Sequence, residues 1–176
     1  MYKRIFFPGR FQPVHNGHVE AINWLLGHAF EVVIGVTAAQ YNFTIDNPFT
    51  AGERIEMLKL SLEEVWDRLY VISLDNIPDN RLWLYHIETR VPKFEAVATN
   101  NSFVELLAKN GGYPVLRPPL LEREVYQGKH IRKLMLEGED WRELVPEKVV
   151  RYIDEIKGVE RLRSIYLAEK VITPKY

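Results

Sequence analysis

Hydrophobic positions along the chain alternate between short continuous runs and longer stretches with helical spacing. The short runs, bounded by turn residues, predict strands over residues 5–7, 32–36, 70–73, 95–99 and 113–116. The longer stretches repeat apolar residues every three or four positions and predict helices over 17–27, 50–62, 81–90, 102–110 and 130–136. Five strands that alternate with helices indicate an α/β fold, an open, doubly wound parallel sheet with right-handed crossovers.

Two local patterns add detail to these elements. The strand at 32–36 is apolar on both faces, which suits a parallel sheet that is covered on both sides. Thr50 and Glu53 have the spacing of a capping box, so we expect a helix to begin there.

The C-terminal stretch has a helical pattern without strands. Apolar residues recur every three or four positions from Val149 to Ile165 and predict a pair of helices broken at Gly158. A length of 176 residues is typical of one domain. We therefore expect a single domain over 1–176, with 145–170 as a C-terminal helical extension that packs on the sheet or on a neighbouring subunit.

Composition excludes several classes of protein. The balance of 23 Lys+Arg against 24 Asp+Glu lacks the basic surplus of a polynucleotide binder. The absence of Cys excludes a disulfide framework, a thiolate nucleophile and a cysteine metal site. There is no apolar run that would form a signal peptide or a transmembrane helix. We expect a cytoplasmic protein with no nucleic acid and no membrane among its partners.

Ligands of doubly wound folds bind at the carboxyl ends of the strands, so the segment after the first strand is informative. It reads Gly-Arg-Phe-Gln-Pro-Val-His-Asn-Gly-His over residues 9–18. Gly9 lets the backbone approach a ligand, and Arg10 offers donors that match phosphate oxygens. His15 and His18 flank Gly17 at a helix start, where an anion is favoured. Such a pair also suits a metal, although the absence of Cys and the presence of only three other histidines (His28, His86 and His130) disfavour zinc.

The whole segment resembles the signature of the nucleotidylyltransferase superfamily, Gly-Arg-Phe-x-Pro-x-His-x-Gly-His, at every fixed position. Three further segments are similar to the archaeal-type nicotinamide mononucleotide adenylyltransferases. They are Asn-Pro-Phe-Thr-Ala-Gly-Glu-Arg at 47–54, Asn-Arg-Leu-Trp at 80–83 and Ile-Lys-Gly-Val-Glu-Arg-Leu-Arg at 156–163. The resemblance spans about residues 3–163. It implies a Rossmann-like nucleotidylyltransferase fold, a homo-oligomer, and a reaction in which ATP and nicotinamide mononucleotide (NMN) give NAD and pyrophosphate.

The resemblance also implies roles for particular residues. His15 and His18 contact the ATP phosphates, His18 stabilises the α-phosphoryl group, and Arg10 and Arg132 hold phosphates. Mg²⁺ enters with ATP, held by phosphate oxygens and water rather than by a protein metal site. Trp83 stacks on the nicotinamide ring, or alternatively is a core tryptophan. The full set of binding candidates is Gly9, Phe11, Gly17, Thr37, Gln40, Asn80, Trp83, Asn101 and Lys129.

Some positions depart from the family pattern. Gln127 and Lys129 stand where the family has Ser and Thr, and Asp46 stands where a basic residue is common. Asn100 replaces a Gly, so we expect it to be left-handed. Asp46 keeps open the alternative of another acceptor, such as phosphopantetheine or FMN. A second alternative is an inactive nucleotide-binding regulator, against which the intact Arg10, His15, His18 and Arg132 argue. A class I aminoacyl-tRNA synthetase shares His-x-Gly-His, but this chain is too short and lacks Lys-Met-Ser-Lys-Ser.

Overall fold

A computed structural model describes the backbone of residues 1–172 and the side chains of residues 1–170. At its centre lies one five-stranded sheet in the order β3-β2-β1-β4-β5, and all four strand pairings are parallel. The strands are β1 (Tyr2–Gly9), β2 (Ala29–Val36), β3 (Leu69–Ser73), β4 (Ala96–Ala98) and β5 (Val115–Leu116). The doubly wound parallel sheet predicted from the hydrophobic pattern is confirmed.

Helices connect the strands and extend the chain beyond them. They are α1 (Asn16–Leu26), α2 (Ala51–Ser61), α3 (Trp83–Glu88), α4 (Ser102–Asn110), α5 (Gly128–Glu137), α6 (Glu147–Glu155) and α7 (Gly158–Ile172). Short 3-10 turns occupy Glu63–Arg68, Asn80–Leu82 and Arg142–Leu144. The predicted capping box is present at the start of α2, where Thr50 Oγ1 accepts the Glu53 N–H at 3.1 Å. None of the helices within residues 1–172 is long and apolar enough to cross a membrane.

Both faces of the sheet are covered by apolar side chains, because neighbouring strand residues point to opposite sides. Ile5 and Val32 belong to a large core that also includes residues of α1, α2, α5, α6 and α7. Phe6 and Val33 belong to a smaller core under α3 and α4. This explains why β2 is apolar at every central position, as a doubly covered parallel strand requires.

The C-terminal pair of helices breaks next to Gly158, as expected, but the residue with the unusual backbone is the one before it. Lys157 has the left-handed backbone, with φ 55°, and Gly158 is the first residue of α7. Gly158 is needed for close packing, since a Cβ there would lie 2.8 Å from Cε1 of the buried Phe49. The pair packs on the rest of the domain through contacts of α6 with α2 and of α7 with α5.

Candidate active site

The strand order reverses at β1, which lies between β2 and β4, and two clefts open at the carboxyl ends there. The larger cleft, of about 480 Å³, includes Arg10, Thr37, Asp75 and Trp83 in its lining. The smaller cleft, of about 250 Å³, lies beside the start of α1. Three residues line both clefts: Pro8, Thr99 and Asn101. The two clefts therefore share a wall at the topological switch point.

Two histidines in the smaller cleft cap α1 reciprocally. His15 Nδ1 accepts the His18 backbone N–H at 3.3 Å, and His18 Nδ1 accepts the His15 backbone N–H at 3.1 Å. The rings stack with centroids 3.6 Å apart. Because each Nδ1 is an acceptor, each neutral ring carries its proton on Nε2. The cap thus fixes both tautomers and leaves two Nε2–H donors.

The environment keeps both imidazoles neutral. Burial lowers the pKa of His15 from its usual 6.5 to about 4. Burial, together with repulsion from His15, lowers the pKa of His18 well below its usual value. At neutral pH the pair therefore acts as two hydrogen-bond donors rather than as two cations or acids.

Phe11 supports this pair from behind. Its side chain is 1% exposed, and its ring centroid lies 4.6 Å from that of His18. Its φ of 54° is unusual for a bulky residue and aims the ring back toward β1. A Cβ at Gly9 would lie 2.8 Å from Phe11 Cζ, so glycine is required there for room. Phe11 was predicted to bind ligand, but the structure places it behind the histidine.

Arg54 ties together the loops that follow β1 and β2. Its guanidinium is fully buried and donates to the backbone oxygens of Arg10 at 2.9 Å and Thr37 at 2.7 Å. Burial, and then repulsion from Arg10, lower the pKa of Arg54 to about 10, so it stays charged at neutral pH. Its role is structural, because its Nε and both Nη atoms donate to carbonyl groups of these loops and of Thr50, the cap residue of α2.

Arg132 on α5 reaches the same region from the other side. It is 4% exposed, and its Nη1 donates to the Gln12 carbonyl at 2.8 Å. Its Nη2 lies 3.4 Å from the exposed carboxylate of Asp46, and its buried Nε has no partner within the described residues. Burial and the charge of Arg10 lower the pKa of Arg132, and Asp46 opposes them. This place is electrostatically suited to an anion.

The larger cleft has an aromatic wall on α3. Trp83 contacts Phe6 of the core edge-on, with centroids 6.5 Å apart, and also lines the cleft. The core contact considered for it is therefore present, and its position in the cleft lining leaves the ligand role as a prediction. Asn80, Trp83 and His86 recur every third residue, so they lie on one face, and all three line the cleft. His86 Nε2 bonds the Asp75 carbonyl at 2.9 Å.

Comparison with known proteins assigns the chain. The sequence profile described as cytidylyltransferase-like matches residues 6–134. The chain belongs to the cytidylyltransferase-like family. Within it, the chain is 47% identical to the nicotinamide-nucleotide adenylyltransferase of Methanothrix thermoacetophila, over 93% of this chain and 96% of that one. It is 46% identical to the protein of the same name from Pyrococcus horikoshii, over 92% of this chain and 88% of that one. It therefore also belongs to the family of these adenylyltransferases.

A solved structure shares the fold of this cytidylyltransferase-like chain. It is a bifunctional NMN adenylyltransferase/ADP ribose pyrophosphatase from Francisella tularensis, complexed with AMP and a Mn ion. The TM-score is 0.75 at 16% identity, over 100% of this chain and 57% of that longer chain. The Rossmann-like nucleotidylyltransferase architecture expected from the motifs is thereby confirmed.

The other predicted residues of this cytidylyltransferase-like domain fall into two groups. Gly9, Arg10, Thr37 and Asn80 line the larger cleft, and Gly17 lines the smaller one. Asn101 lines both and caps α4, since its Oδ1 accepts the N–H groups of Phe103 and Val104. Its Nδ2 amide is therefore the group that can reach a ligand.

Four predicted residues line neither cleft: Phe11 and Arg132, described above, and Gln40 and Lys129. Gln40 is bonded on both sides to the backbone of Asn76, with Nε2 donating at 2.9 Å and Oε1 accepting at 2.9 Å. It joins the loops after β2 and β3. Lys129 is exposed at the second residue of α5, whose first residues have no side-chain cap. The uncapped N–H groups there add to the anion-favouring potential beside Arg132.

The expectation for Asn100 was wrong. Within the described chain, the non-glycine residues with positive φ are Phe11, Ala38, Phe43, Glu122 and Lys157. Asn100 instead keeps ordinary backbone geometry, and its Nδ2 donates to the Pro118 carbonyl at 2.9 Å. The side-chain amide of Asn100 therefore fixes the loop after β5, and this contact, rather than a glycine-like turn, explains why Asn stands at this position.

Sequence reasoning missed several lining residues: Asn76, His86, Thr99 and Tyr126. Two of them carried a usable signal, because Thr99 directly follows β4 and His86 lies one turn beyond Trp83. Tyr126 gave none, since it lies in the loop before α5 and reaches the histidines only through the fold. Among residues 1–172, no group of three or more His, Asp or Glu side chains is placed to hold a metal ion.

Proposed function

We propose that this chain transfers the adenylyl group of ATP to the 5′-phosphate of NMN, giving NAD and pyrophosphate. The observation that carries the proposal is the pair of clefts that share a wall at the switch point. One cleft holds the stacked imidazoles at a helix N-terminus, which suits phosphates. The other holds Trp83 and Asn80, which suit a cationic aromatic ring with an amide. A dinucleotide product would span both.

In the reaction, a 5′-phosphate oxygen of NMN attacks the α-phosphorus of ATP in line. The bond from that phosphorus to the β-bridging oxygen breaks, and pyrophosphate leaves with the electron pair. The chain supplies no nucleophile, so catalysis rests on positioning and charge stabilisation. The Nε2–H donors of His15 and His18 bind the phosphates, with His18 on the α-phosphoryl oxygens. Arg10, Arg132 and Lys129 balance the charge of the outer phosphates.

The acceptor is held in the larger cleft. Trp83 stacks on the pyridinium ring, and Asn80, Thr37 and Asn101 offer polar groups to the nucleotide. Phe11 and Gln40 act through their neighbours, by supporting His18 and by joining two loops. The nucleotide substrate is MgATP, whose Mg²⁺ is held by phosphate oxygens and water.

We further propose the setting in which the enzyme works. It acts in the cytoplasm as a homo-oligomer of single-domain chains, in which residues 145–170 form a C-terminal helical extension. Its partners are ATP and the mononucleotide, and we expect neither nucleic acid nor membrane among them.

An acceptor screen tests the function. ATP and Mg²⁺ are incubated with NMN, phosphopantetheine or FMN, and the adenylylated product and pyrophosphate are measured. We expect NAD to form fastest. His18→Ala should lower kcat by about 100- to 1,000-fold, the cost of one oxyanion donor. Trp83→Ala should raise the KM for NMN about tenfold, with little change in the KM for ATP.

His28→Ala is the matched control for the histidine, because His28 is exposed and lies beyond the other end of α1. It should keep the wild-type kcat. Faster reaction with phosphopantetheine or FMN would show that NMN is not the preferred acceptor, and it would leave the proposed adenylyl transfer in place. Binding of ATP without transfer to any acceptor would instead support the nucleotide-binding regulator.

A further inference from the structure

The larger cleft has one basic and one acidic end. Among the described residues that line it, Arg10 is the one Arg or Lys, and Asp75 is the one Asp or Glu. Arg10 follows β1 and Asp75 follows β3, with β2 between those strands. Because neighbouring strands lie about 4.8 Å apart, the two residues begin roughly 10 Å from each other. The cleft therefore distinguishes the two ends of a ligand by charge.

Asp75 is held at the acidic end by its own backbone. Its carbonyl accepts a hydrogen bond from His86 Nε2 at 2.9 Å, and the next residue, Asn76, is joined to Gln40. On the other side, the Leu74 N–H donates to the Val36 carbonyl at 2.8 Å. The position of Asp75 is thus fixed by three neighbouring elements, β2, the loop after it and α3.

Among the side chains that the structure describes, none acts as a counter-ion to the carboxylate of Asp75. Within residues 1–170 its oxygens make no hydrogen bond or ion pair. The nearest arginine in sequence, Arg81, is paired with Asp79 and does not line this cleft. Arg10, the one cation of the lining, is at the phosphate end. A ligand group beside Asp75 therefore meets an uncompensated negative charge.

We infer that Asp75 makes this enzyme selective for the amide form of the mononucleotide over the acid form, nicotinate mononucleotide. The inference rests on the proposed function. The pyridinium ring is cationic in both forms, and Trp83 and Asp75 both attract it. The acid form adds a carboxylate that Asp75 repels and that no cation at this end offsets. Selectivity then comes from a repulsive element against the wrong substrate.

The experiment compares kcat/KM for NMN and for nicotinate mononucleotide, each with MgATP, in wild type and in Asp75→Asn. Because the cleft is open to solvent, we expect a screened effect, in which the amide-to-acid ratio falls about 3- to 10-fold in Asp75→Asn. The change should lie in the KM for the acid form. Raising the salt concentration should lower the wild-type ratio and leave that of Asp75→Asn unchanged.

Asp67→Asn is the matched control. Asp67 is also exposed, and it lies before β3 whereas Asp75 lies after it. Asp67→Asn therefore removes the same charge at the other end of that strand. It should keep the wild-type ratio. Asp75→Lys should lower the ratio further than Asp75→Asn does.

The outcomes separate the two claims. An unchanged ratio in Asp75→Asn, or a wild-type enzyme that prefers the acid form, overturns the inference and leaves the adenylyl transfer in place. Absence of transfer to either mononucleotide in wild type overturns the proposed function and the inference with it.

Discussion

His15 and His18 each have two roles in this site. Their Nδ1 atoms complete the cap of α1, and their Nε2–H groups are left for the phosphates in the proposed reaction. Protonation of a ring would place a proton on Nδ1, where the backbone N–H is now accepted. The cap and the positive charge therefore exclude each other. A site of this kind works with neutral donors, whose strength comes from fixed direction rather than from charge.

A prediction for pH dependence follows at the same scale. The pKa of His15 is about 4 in the folded chain and about 6.5 when unfolded, so the unfolded chain binds more protons between these values. Stability is then full above pH 6.5 and falls as the pH drops toward 4, by as much as roughly 3 kcal/mol from this residue. Urea unfolding at a series of pH values in this window measures it.

The difference between variants isolates the histidine from other titrating groups. His15→Gln should flatten the fall in stability across this window, and the exposed His28→Gln should not. Equal pH dependence in all three proteins would contradict the assigned role of the cap.

Among the elements, the hydrophobic period predicts the helices and strands well and the loops poorly. The helix α4, Ser102–Asn110, has the predicted bounds, because its cap and its closing glycines are local in sequence. β1 extends beyond the predicted 5–7, because the central strand pairs along its full length from Tyr2 to Gly9. The bond between Gln40 and Asn76 joins loops 36 residues apart, and no local pattern encodes it. The sequence motifs singled out Arg10 and Arg132, but they did not predict the contact of Asp46 with Arg132.

A glycine substitution tests the packing of two elements. In Gly158→Ala the added Cβ would lie 2.8 Å from Phe49 Cε1 and 3.0 Å from Ile153 Cγ2, both in buried residues. We expect a loss of about 1–3 kcal/mol in the free energy of unfolding from overpacking. Thermal or urea unfolding measures this loss.

Gly52 offers a matched control, because it lies in α2 and a Cβ there would approach only Thr50 Oγ1, at 4.0 Å. Gly52→Ala should be neutral or stabilising by up to about 1 kcal/mol. Equal stability of the two variants would show that Phe49 yields to the added methyl group.

At the scale of the whole molecule, the C-terminal helix is connected to the candidate active site. Arg161 of α7 forms a two-point ion pair with Glu53, at 2.7 and 2.8 Å, and donates to the Pro48 carbonyl. Its guanidinium also lies 4.4 Å from the centroid of the Phe43 ring. The loop 43–48 carries Asp46, which contacts Arg132 of α5. Although burial opposes it, hydrogen bonding to Arg161 and Thr50 lowers the pKa of Glu53. One helix end thus positions a loop of the site.

Removing this connection should affect binding more than chemistry. Arg161→Met leaves Glu53 without its ion partner and frees the loop. We expect a loss of about 2–4 kcal/mol in stability and a several-fold rise in the KM for ATP, with kcat nearly kept. Steady-state kinetics and urea unfolding measure both. Arg151→Met removes an exposed pair with Glu147 on α6 and should change neither. A large fall in kcat with unchanged KM would contradict the positioning role.

The shared wall of the two clefts bears on how the product leaves. Among the described residues, Pro8, Thr99 and Asn101 are the three that line both clefts and so stand between them. A dinucleotide that spans both clefts, as proposed above, would exclude both substrates at once, so its release would have to empty the two clefts together. By the same geometry, we expect a compound that joins the two nucleotide halves through a longer phosphate linker to bind tightly. Once one half is bound, the linker holds the other half at a high effective concentration near its own cleft. The site is in this sense bivalent toward its own product.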